Sequence, residues 1–542
     1  MALRLEDHPQ VSGLSRSSPR PWRELRSPGL GQPGDSRTAA SPAPVAPRVR
    51  RRRGSLRCPD GPIRAAHPGS PPLSNTRSST AAAEGHLGHV VFIAAAAAMG
   101  GFLFGYDSAV INGAVTGIQH HFGVGNGETS LVVSAALLGS AVGAVCAGWL
   151  ADHFGRIKVM QLAALLFFAS GLGTMFPPNI VMLGVWRVIG GIAIGIASVV
   201  APAYIAEVAP PAVRGRLASF QQAAIVLGIF ISQLINYALN QAAGGNPNDH
   251  LAGIQAWQWM LGAETIPALI YGLFSLAIPE SPRYLISSGD LARAKKVLTD
   301  VEAPGTDIDA RIGEIQHVMA TEHKPRMKDL MGGRAGLQTI VWIGIGASVF
   351  QQFVGINVIF YYSSLLWQSV GINASNSLLI SVSTSLVNIV GTVIAVVLVD
   401  RVGRRPLALV GSAGMAVTLG MAAWAFSYRV GTGTNAHLAD TQATVALVAA
   451  HIYVLCFAFS WGVVVWVLLG EMFPNKIRAL ALSVAASAQW IANWLITVSF
   501  PTMSDWNLSA TYVIYACFAL LSIPFVYFCI RETKGKSLEE MG

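Results

Sequence analysis

The chain has 542 residues, 52% hydrophobic and only 12% charged, with a mean hydropathy of +0.50. A soluble globular protein of that composition would have too little polar surface, so lipid must solvate most of the chain. The net charge of +9 does not point to nucleic acid: residues 1–85 hold fourteen arginines, no lysine and six acids, a surplus of eight that leaves the rest near neutral.

In chain order, residues 1–87 are rich in Arg, Pro, Ser and Gly and lack the continuous apolar run of a secretory signal, so a disordered tail is expected. Its arginine run at 50–53 either meets anionic lipid headgroups or belongs to a dispensable leader. Twelve apolar stretches follow, at 89–113, 128–151, 158–176, 181–206, 217–240, 257–278, 337–368, 376–399, 406–427, 443–470, 478–502 and 510–530. Each is long enough to cross about 30 Å of hydrocarbon as a helix. Six of them make a domain at 88–278 and six a domain at 337–530. The polar break 279–336 reads as a linker of short amphipathic helices, with weak patterns at 291–297 and 308–318, and 531–542 as a terminal tail. Four of the five cysteines, Cys146, Cys456, Cys517 and Cys529, lie in apolar stretches without ligand spacing, so no disulfide framework and no metal site are expected.

Cations mark alternate loops: Arg156, Lys158, Arg214, Arg216, the linker, Arg401, Arg404, Arg405, Lys476, Arg478 and Lys534. By the positive-inside rule these loops and both termini are cytoplasmic, which suits a multi-pass protein of the plasma (inner) membrane. The loops also repeat. Asp152-x-x-Gly155-Arg156 returns as Asp400-x-x-Gly403-Arg404, and Glu207 with Arg214 returns as Glu471 with Arg478, about half a chain later. A tight reversal between helices needs Gly, while the flanking charges pair with one another. Duplication at matched positions is the mark of pseudosymmetric membrane halves, and these charges, with Glu280, are expected to latch the inner ends of the two bundles and part when the inner side opens.

Inside the spans sit uncharged amides: Gln222 in span five, Gln351, Gln352 and Asn357 in span seven, Asn388 in span eight and Gln489 in span eleven. A pyranose presents hydroxyls at its rim and C–H faces above and below, so it is recognised by groups that both donate and accept, together with an aromatic platform. Trp466 and Trp490 offer that platform, with Phe360, Tyr361 and Tyr362 on the outer side. Any one amide also reads as an interhelical hydrogen bond, and any one Trp as packing; the adjacent pair Gln351 and Gln352 argues for a polar cavity. Two charges lie at similar depth, Asp107 in span one and Arg187 in span four. Buried ions need partners, and a carboxylate that gains and loses an arginine changes its proton affinity, which is the physics of proton coupling. A static pair bracing the two spans is the other reading.

Pro279-Glu280-Ser281-Pro282-Arg283 after span six, the Gly-Arg turns after spans two and eight, and the run from Gln351 to Asn357 resemble the sugar porter family of the major facilitator superfamily, over about 88–540. The resemblance implies an all-α integral membrane protein, twelve transmembrane helices in two pseudosymmetric six-helix bundles, working by alternating access. It implies sugar contacts at Gln222, Gln351, Gln352, Asn357, Asn388, Trp466 and Gln489. An Asp at the position of Asp107 accompanies proton symporters of the family, and passive members carry Asn. Ile229 and Phe360 resemble the glucose-transporting branches. One departure is Arg531-Glu532-Thr533-Lys534-Gly535, where the family has Pro first. The reading is a transporter, not an enzyme, importing a monosaccharide with a proton and needing no cofactor and no protein partner; no Gly-rich nucleotide loop is present. A passive uniporter, or a sugar receptor that does not transport, are the alternatives.

Overall fold

The computed structural model describes residues 76–534 apart from 211–212, 303–304, 322–326, 333–335, 432–436 and 475; the side chains of 76–87, 214, 215, 321 and 479 are likewise outside the described residues. Most of the expected tail, and 535–542, therefore lie outside them.

Without water, a chain can satisfy its backbone only as helix, and each apolar stretch has become one. The first half holds α1 (Thr76–Phe122), α2 (Asn126–Phe154), α3 (Arg156–Met175), α4 (Ile180–Val208), α5 (Arg214–Ala242), and a sixth crossing made of α6 (Ala256–Gly262) and α7 (Thr265–Ala277). A two-residue hairpin, His250–Leu251 against Ile254–Gln255, precedes α6. Short linker helices α8 (Pro282–Ser287), α9 (Leu291–Val301) and α10 (Ile308–Thr321) follow. The second half holds α11 (Thr339–Phe353) and α12 (Ile356–Gln368) as one crossing, α13 (Ala374–Val402), α14 (Arg404–Ser427), α15 (Asp440–Phe459) and α16 (Trp461–Met472) as another, and α17 (Arg478–Cys529). α17 is two crossings joined at Asn507, whose φ of −164° and ψ of 106° leave the helical region and whose Oδ1 caps the next segment by accepting from Ala510 N at 2.9 Å. Among the described residues the crossings number twelve.

Three boundaries differ from the sequence reading. α1 begins at Thr76, inside the segment expected to be disordered, because Ala81-Ala82-Ala83-Glu84 are strong helix formers attached to a helix already nucleated in the membrane. It also runs to Phe122, past the expected end at 113, since Gly117 lets it lie against the Trp257 indole, which a Cβ would approach to 2.6 Å. And crossings six, seven and ten, read as continuous, are each broken.

Small residues set the packing of the first half. Gly139 and Gly143 of α2 face the Val188 and Ile192 carbonyls of α4, while Gly191 and Gly195 of α4 face the Ala136 and Ser140 carbonyls of α2, each so close that a Cβ would fall within 2.3 Å of oxygen. Gly105 and Gly228 do the same for α1 and α5. Across the halves, α1 packs on α12, α5 on α13 and α2 on α17. The halves therefore meet mainly through α1, α2, α5, α12, α13 and α17.

Candidate functional site

The amides sit at a helix break. α11 stops at Phe353 and α12 restarts at Ile356 through Gly355, which is left-handed at φ +86° and ψ 18°. Glycine is required there twice over, because a Cβ would also come within 2.7 Å of the Tyr515 ring. The break frees the Val354 carbonyl, which accepts the Tyr453 hydroxyl at 2.7 Å. Across it, Asn357 Nδ2 donates to Gln352 Oε1, Gln352 Nε2 donates to Gln351 Oε1 at 3.3 Å, and Gln351 Nε2 donates to the Trp461 carbonyl at 2.9 Å. Trp461 opens α16 after a second break at Ser460, with φ −121° and ψ −96°. Irregular backbone at membrane depth is tolerated where it is buried in protein or lines a cavity.

The other predicted residues are distributed around this row. Asn388 is buried on α13, and Gln489 on α17 holds a buried Oε1 without a protein partner. Its neighbour Trp490 is buried and tilted against Phe104 of α1, ring centroids 5.8 Å apart. Phe360, Tyr361 and Tyr362 are buried on α12. Trp466 is 42% exposed on α16, its indole turned out of the packed core. Gln222 is half-buried on α5, in the other half. The adjacent Gln221, passed over in the sequence, is buried against Gly101 with both amide atoms unpartnered. Gln351 and Gln352, expected to border a polar cavity, bond to each other and to the frame.

The charged pair is in contact. Asp107 is fully buried and Arg187 is 3% exposed, and Arg187 Nη1 donates to Asp107 Oδ1 and, at 3.5 Å, to the Asp107 carbonyl. Asp107 Oδ2 and Arg187 Nε have no partner among the described residues. The approach of α4 depends on Gly190, where a Cβ would lie 3.5 Å from Asp107 Oδ2 and 2.5 Å from Ser170 Oγ. A third member joins them. Glu264, in the turn between α6 and α7, is 2% exposed, and Asp107 and Arg187 are the charges that act on its carboxyl. The sequence reading missed it, although a lone acid in the apolar run 257–278 was the signal. The cluster thus brings two carboxyls and one guanidinium together inside the membrane.

The repeated turns build two matching clusters. Gly155 and Gly403 are at φ +94° and +107°, so only glycine makes this reversal without strain. Behind each, an arginine is forked onto a glutamate: Arg156 Nε and Nη2 on Glu207 at 2.9 Å, and Arg404 Nε and Nη2 on Glu471 at 3.1 and 2.7 Å. Asp152 and Asp400 pair with the same guanidiniums at 3.1 and 3.0 Å. Glu280 then accepts from the Arg156 and Ile157 amides, and Glu532 from the Arg404 and Arg405 amides. Ser281 Oγ and Thr533 Oγ1 complete the match on Glu207 and Glu471. Glu532 was read only as part of a departure from the family; the repeat of Glu280-Ser281 as Glu532-Thr533 was the available signal. Burial pushes the Glu532 carboxyl up, but four backbone N–H donors together bring it below its ordinary value.

Arg478 donates to the Phe473 carbonyl at 3.3 and 3.2 Å, at the end of α16; the Arg214 side chain lies outside the described residues. Among the described residues each cluster bonds within its own half. The bonds between halves are at the opposite end. Asn112 of α1, which also donates to Gln233 of its own half, donates to Ser381 of α13 at 3.0 Å and accepts the Ser364 amide of α12 at 2.8 Å. Asn126 donates to both Asp505 oxygens at 2.8 Å, and Asn240 to Ser375 at 3.1 Å.

The chain is similar to known proteins over most of its length. Residues 93–542 match the family model described as "Sugar (and other) transporter". The chain is 52% identical to a glucose transport protein of Synechocystis sp. over 86% of its length and all of that protein's. It is 35% identical to the D-xylose-proton symporter of Escherichia coli, covering 84% of this chain and 95% of the symporter, and 32% identical to the glucose facilitated diffusion protein of Zymomonas mobilis, covering 84% and 98%. Among solved structures, the inward open conformation of the xylose transporter XylE from E. coli superposes with a TM-score of 0.71 at 34% identity, over 83% of this chain and 99% of that one.

Proposed function

The chain belongs to the sugar porter family of the major facilitator superfamily, and from that premise we propose that it imports a monosaccharide, glucose above other sugars, by proton symport through alternating access. The observation that carries the coupling is the buried cluster of Asp107, Arg187 and Glu264. An acid that trades between a guanidinium and a second acid binds or releases a proton as the helices around it shift. The sugar is held between Gln222 on one side and Gln351, Gln352, Asn357, Asn388 and Gln489 on the other. Trp466 and Trp490 serve as the apolar platform, and Ile229 and Phe360 fill space beside a hexose hydroxymethyl group, a shape preference of about 1–3 kcal/mol.

On this reading the Gly-Arg turns and both termini face the cytoplasm of the plasma (inner) membrane, because the cations gather there. Bonds between halves at the Asn112 end close the outer side, and charge clusters confined to their own halves leave the inner side free to part. That is an inward-facing state. When the domains at 88–278 and 337–530 rock back, the clusters at Arg156 and Arg404 meet across the interface and latch the inner side.

A second reading is passive uniport, favoured by the likeness to a facilitated diffusion protein; it shares every sugar residue and differs only in the use of the acid cluster. Proteoliposomes separate the two. Symport requires that labelled glucose accumulate above its outside concentration when the lumen is made alkaline, and that a protonophore abolish the accumulation. Equilibration without accumulation would leave the uniporter.

A further inference from the structure

The span-seven amides do not stand alone. Gln351 Nε2 bonds to the Trp461 carbonyl, and the Trp461 indole is itself held: Nε1 donates to Ser412 Oγ of α14 at 2.9 Å, and the Ser412 hydroxyl shares a 2.6 Å hydrogen bond with Ser522 of α17. Trp461, Ser412 and Ser522 are all fully or almost fully buried. The residue before Ser412 grips the same place, since a Cβ on Gly411 would overlap Ser460, the residue at the break. Two consecutive residues of α14 thus fix the break in crossing ten, although α14 itself is not among the helices through which the halves mainly meet.

The polarity of the chain is determined by chemistry. An indole N–H only donates and a carbonyl only accepts, so Gln351 must turn its NH2 toward Trp461 and its oxygen toward Gln352. Gln352 then turns its NH2 toward Gln351 and its oxygen toward Asn357, which donates in turn. What is left over is fixed as well: one N–H each on Gln351, Gln352 and Asn357, and the Asn357 oxygen. These are three donors and one acceptor, set at fixed flips before any sugar arrives.

We propose that Ser412 is a positioning residue for sugar recognition: through the Trp461 indole it holds the carbonyl that sets the orientation of Gln351, and with it the donor and acceptor pattern of Gln352 and Asn357. This inference rests on the proposed sugar site. A preset row binds more tightly than one that must be ordered by the ligand, because the ordering entropy is already spent. Losing one such hold, worth about 1 kcal/mol for a single hydrogen bond, corresponds to roughly five-fold in affinity.

The test compares glucose binding and counterflow of the full chain with those of Ser412→Ala, Ser412→Thr, Trp461→Phe, Gln351→Ala and the double variant Ser412→Ala/Gln351→Ala, each with its melting temperature. Ser412→Ala and Trp461→Phe, which delete opposite sides of one bond, are expected to raise the glucose Kd and KM about five-fold with maximal counterflow rate unchanged. Ser412→Thr, which keeps the hydroxyl, stays within about two-fold. The double variant is expected to bind no worse than Gln351→Ala alone, since the serine acts through that glutamine. Parent-like affinity in Ser412→Ala and Trp461→Phe beside a weakened Gln351→Ala, or additive losses in the double variant, would overturn the positioning role and leave the sugar site standing. An unchanged Gln351→Ala would instead remove the site and this inference with it.

Discussion

The two halves of this molecule are alike at their charged turns and unlike at their centres. At the turns, residue matches residue: Asp152 with Asp400, Gly155 with Gly403, Arg156 with Arg404, Glu207 with Glu471, Glu280 with Glu532, Ser281 with Thr533. At the centres, the first half buries ions, Asp107 and Arg187 on glycine-packed helices and Glu264 at the break in crossing six, while the second half buries neutral amides where crossings seven and ten are broken. Rocking motion needs the same hinge chemistry on both sides. On the proposed symport reading, coupling needs two different cargoes, and the duplicated fold would diverge where each binds: a charge-trading cluster for the proton and a row of two-way hydrogen-bonding groups for the sugar.

The sharpest way to break that division is to neutralise the ion cluster. Asp107→Asn keeps shape and removes the titrating acid, and is expected to abolish pH-driven accumulation while sparing counterflow exchange, since the amides are untouched. Accumulation that survives, with a protonophore still collapsing it, would move the proton site to another group. Glu264→Gln tests the shared-acid arrangement in the same assay and is expected to lower accumulation without ending exchange.

Next in size are the matched turns. Removing one partner of a nearly buried forked pair leaves a carboxylate uncompensated, at about 3 kcal/mol. Arg156→Ala and Arg404→Ala should therefore lower the melting temperature by similar amounts, as equal hinges require, and both should slow net transport more than they change glucose affinity. Strongly unequal melting losses would show that the repeat is one of sequence and not of mechanics. Smaller again is the sugar side: Gln352→Ala is expected to weaken glucose binding about ten-fold, with proton-driven coupling of what is transported intact. Loss of coupling in that variant would mean that the two centres are not separable.

Much of this plan is legible in the sequence because it is written in hydropathy and in charge. All twelve crossings lie where apolar runs exceed the bilayer, and Asp107 and Arg187 declare themselves as ions that a membrane will not hold unpaired. The breaks did not show. Gly355 and Ser460 lie within continuous apolar runs, and their backbone angles are imposed by Tyr515 and by Gly411, neighbours far away in the chain. Glu264 is a lone acid in an apolar run, and the partners that receive it come from two other helices far away in the chain. Arg478, expected in the charged network at the turns, donates instead to the carbonyl at a helix end close by in the chain. Which charges latch the halves depends on conformation, which no single sequence states.

The smallest effect distinguishes the two turns by one hydrogen bond. Glu280 accepts from the amides of Arg156, Ile157 and Ser281, whereas Glu532 accepts from Arg404, Arg405, Thr533 and, additionally, Lys534. Those four N–H groups hold the Glu532 carboxyl below its ordinary range despite partial burial. An acid whose folded value is depressed stabilises the fold fully above its unfolded value, about 4.3, and loses that contribution as the pH falls through the lower folded value. Melting curves of the detergent-solubilised protein and of Glu532→Gln should therefore differ most at neutral pH, with the variant less stable, and converge as the pH drops below the usual carboxylate range. A gap that stays constant with pH would mean that Glu532 acts through its shape and not its charge. The last turn would then be held by Thr533 and Arg404 alone.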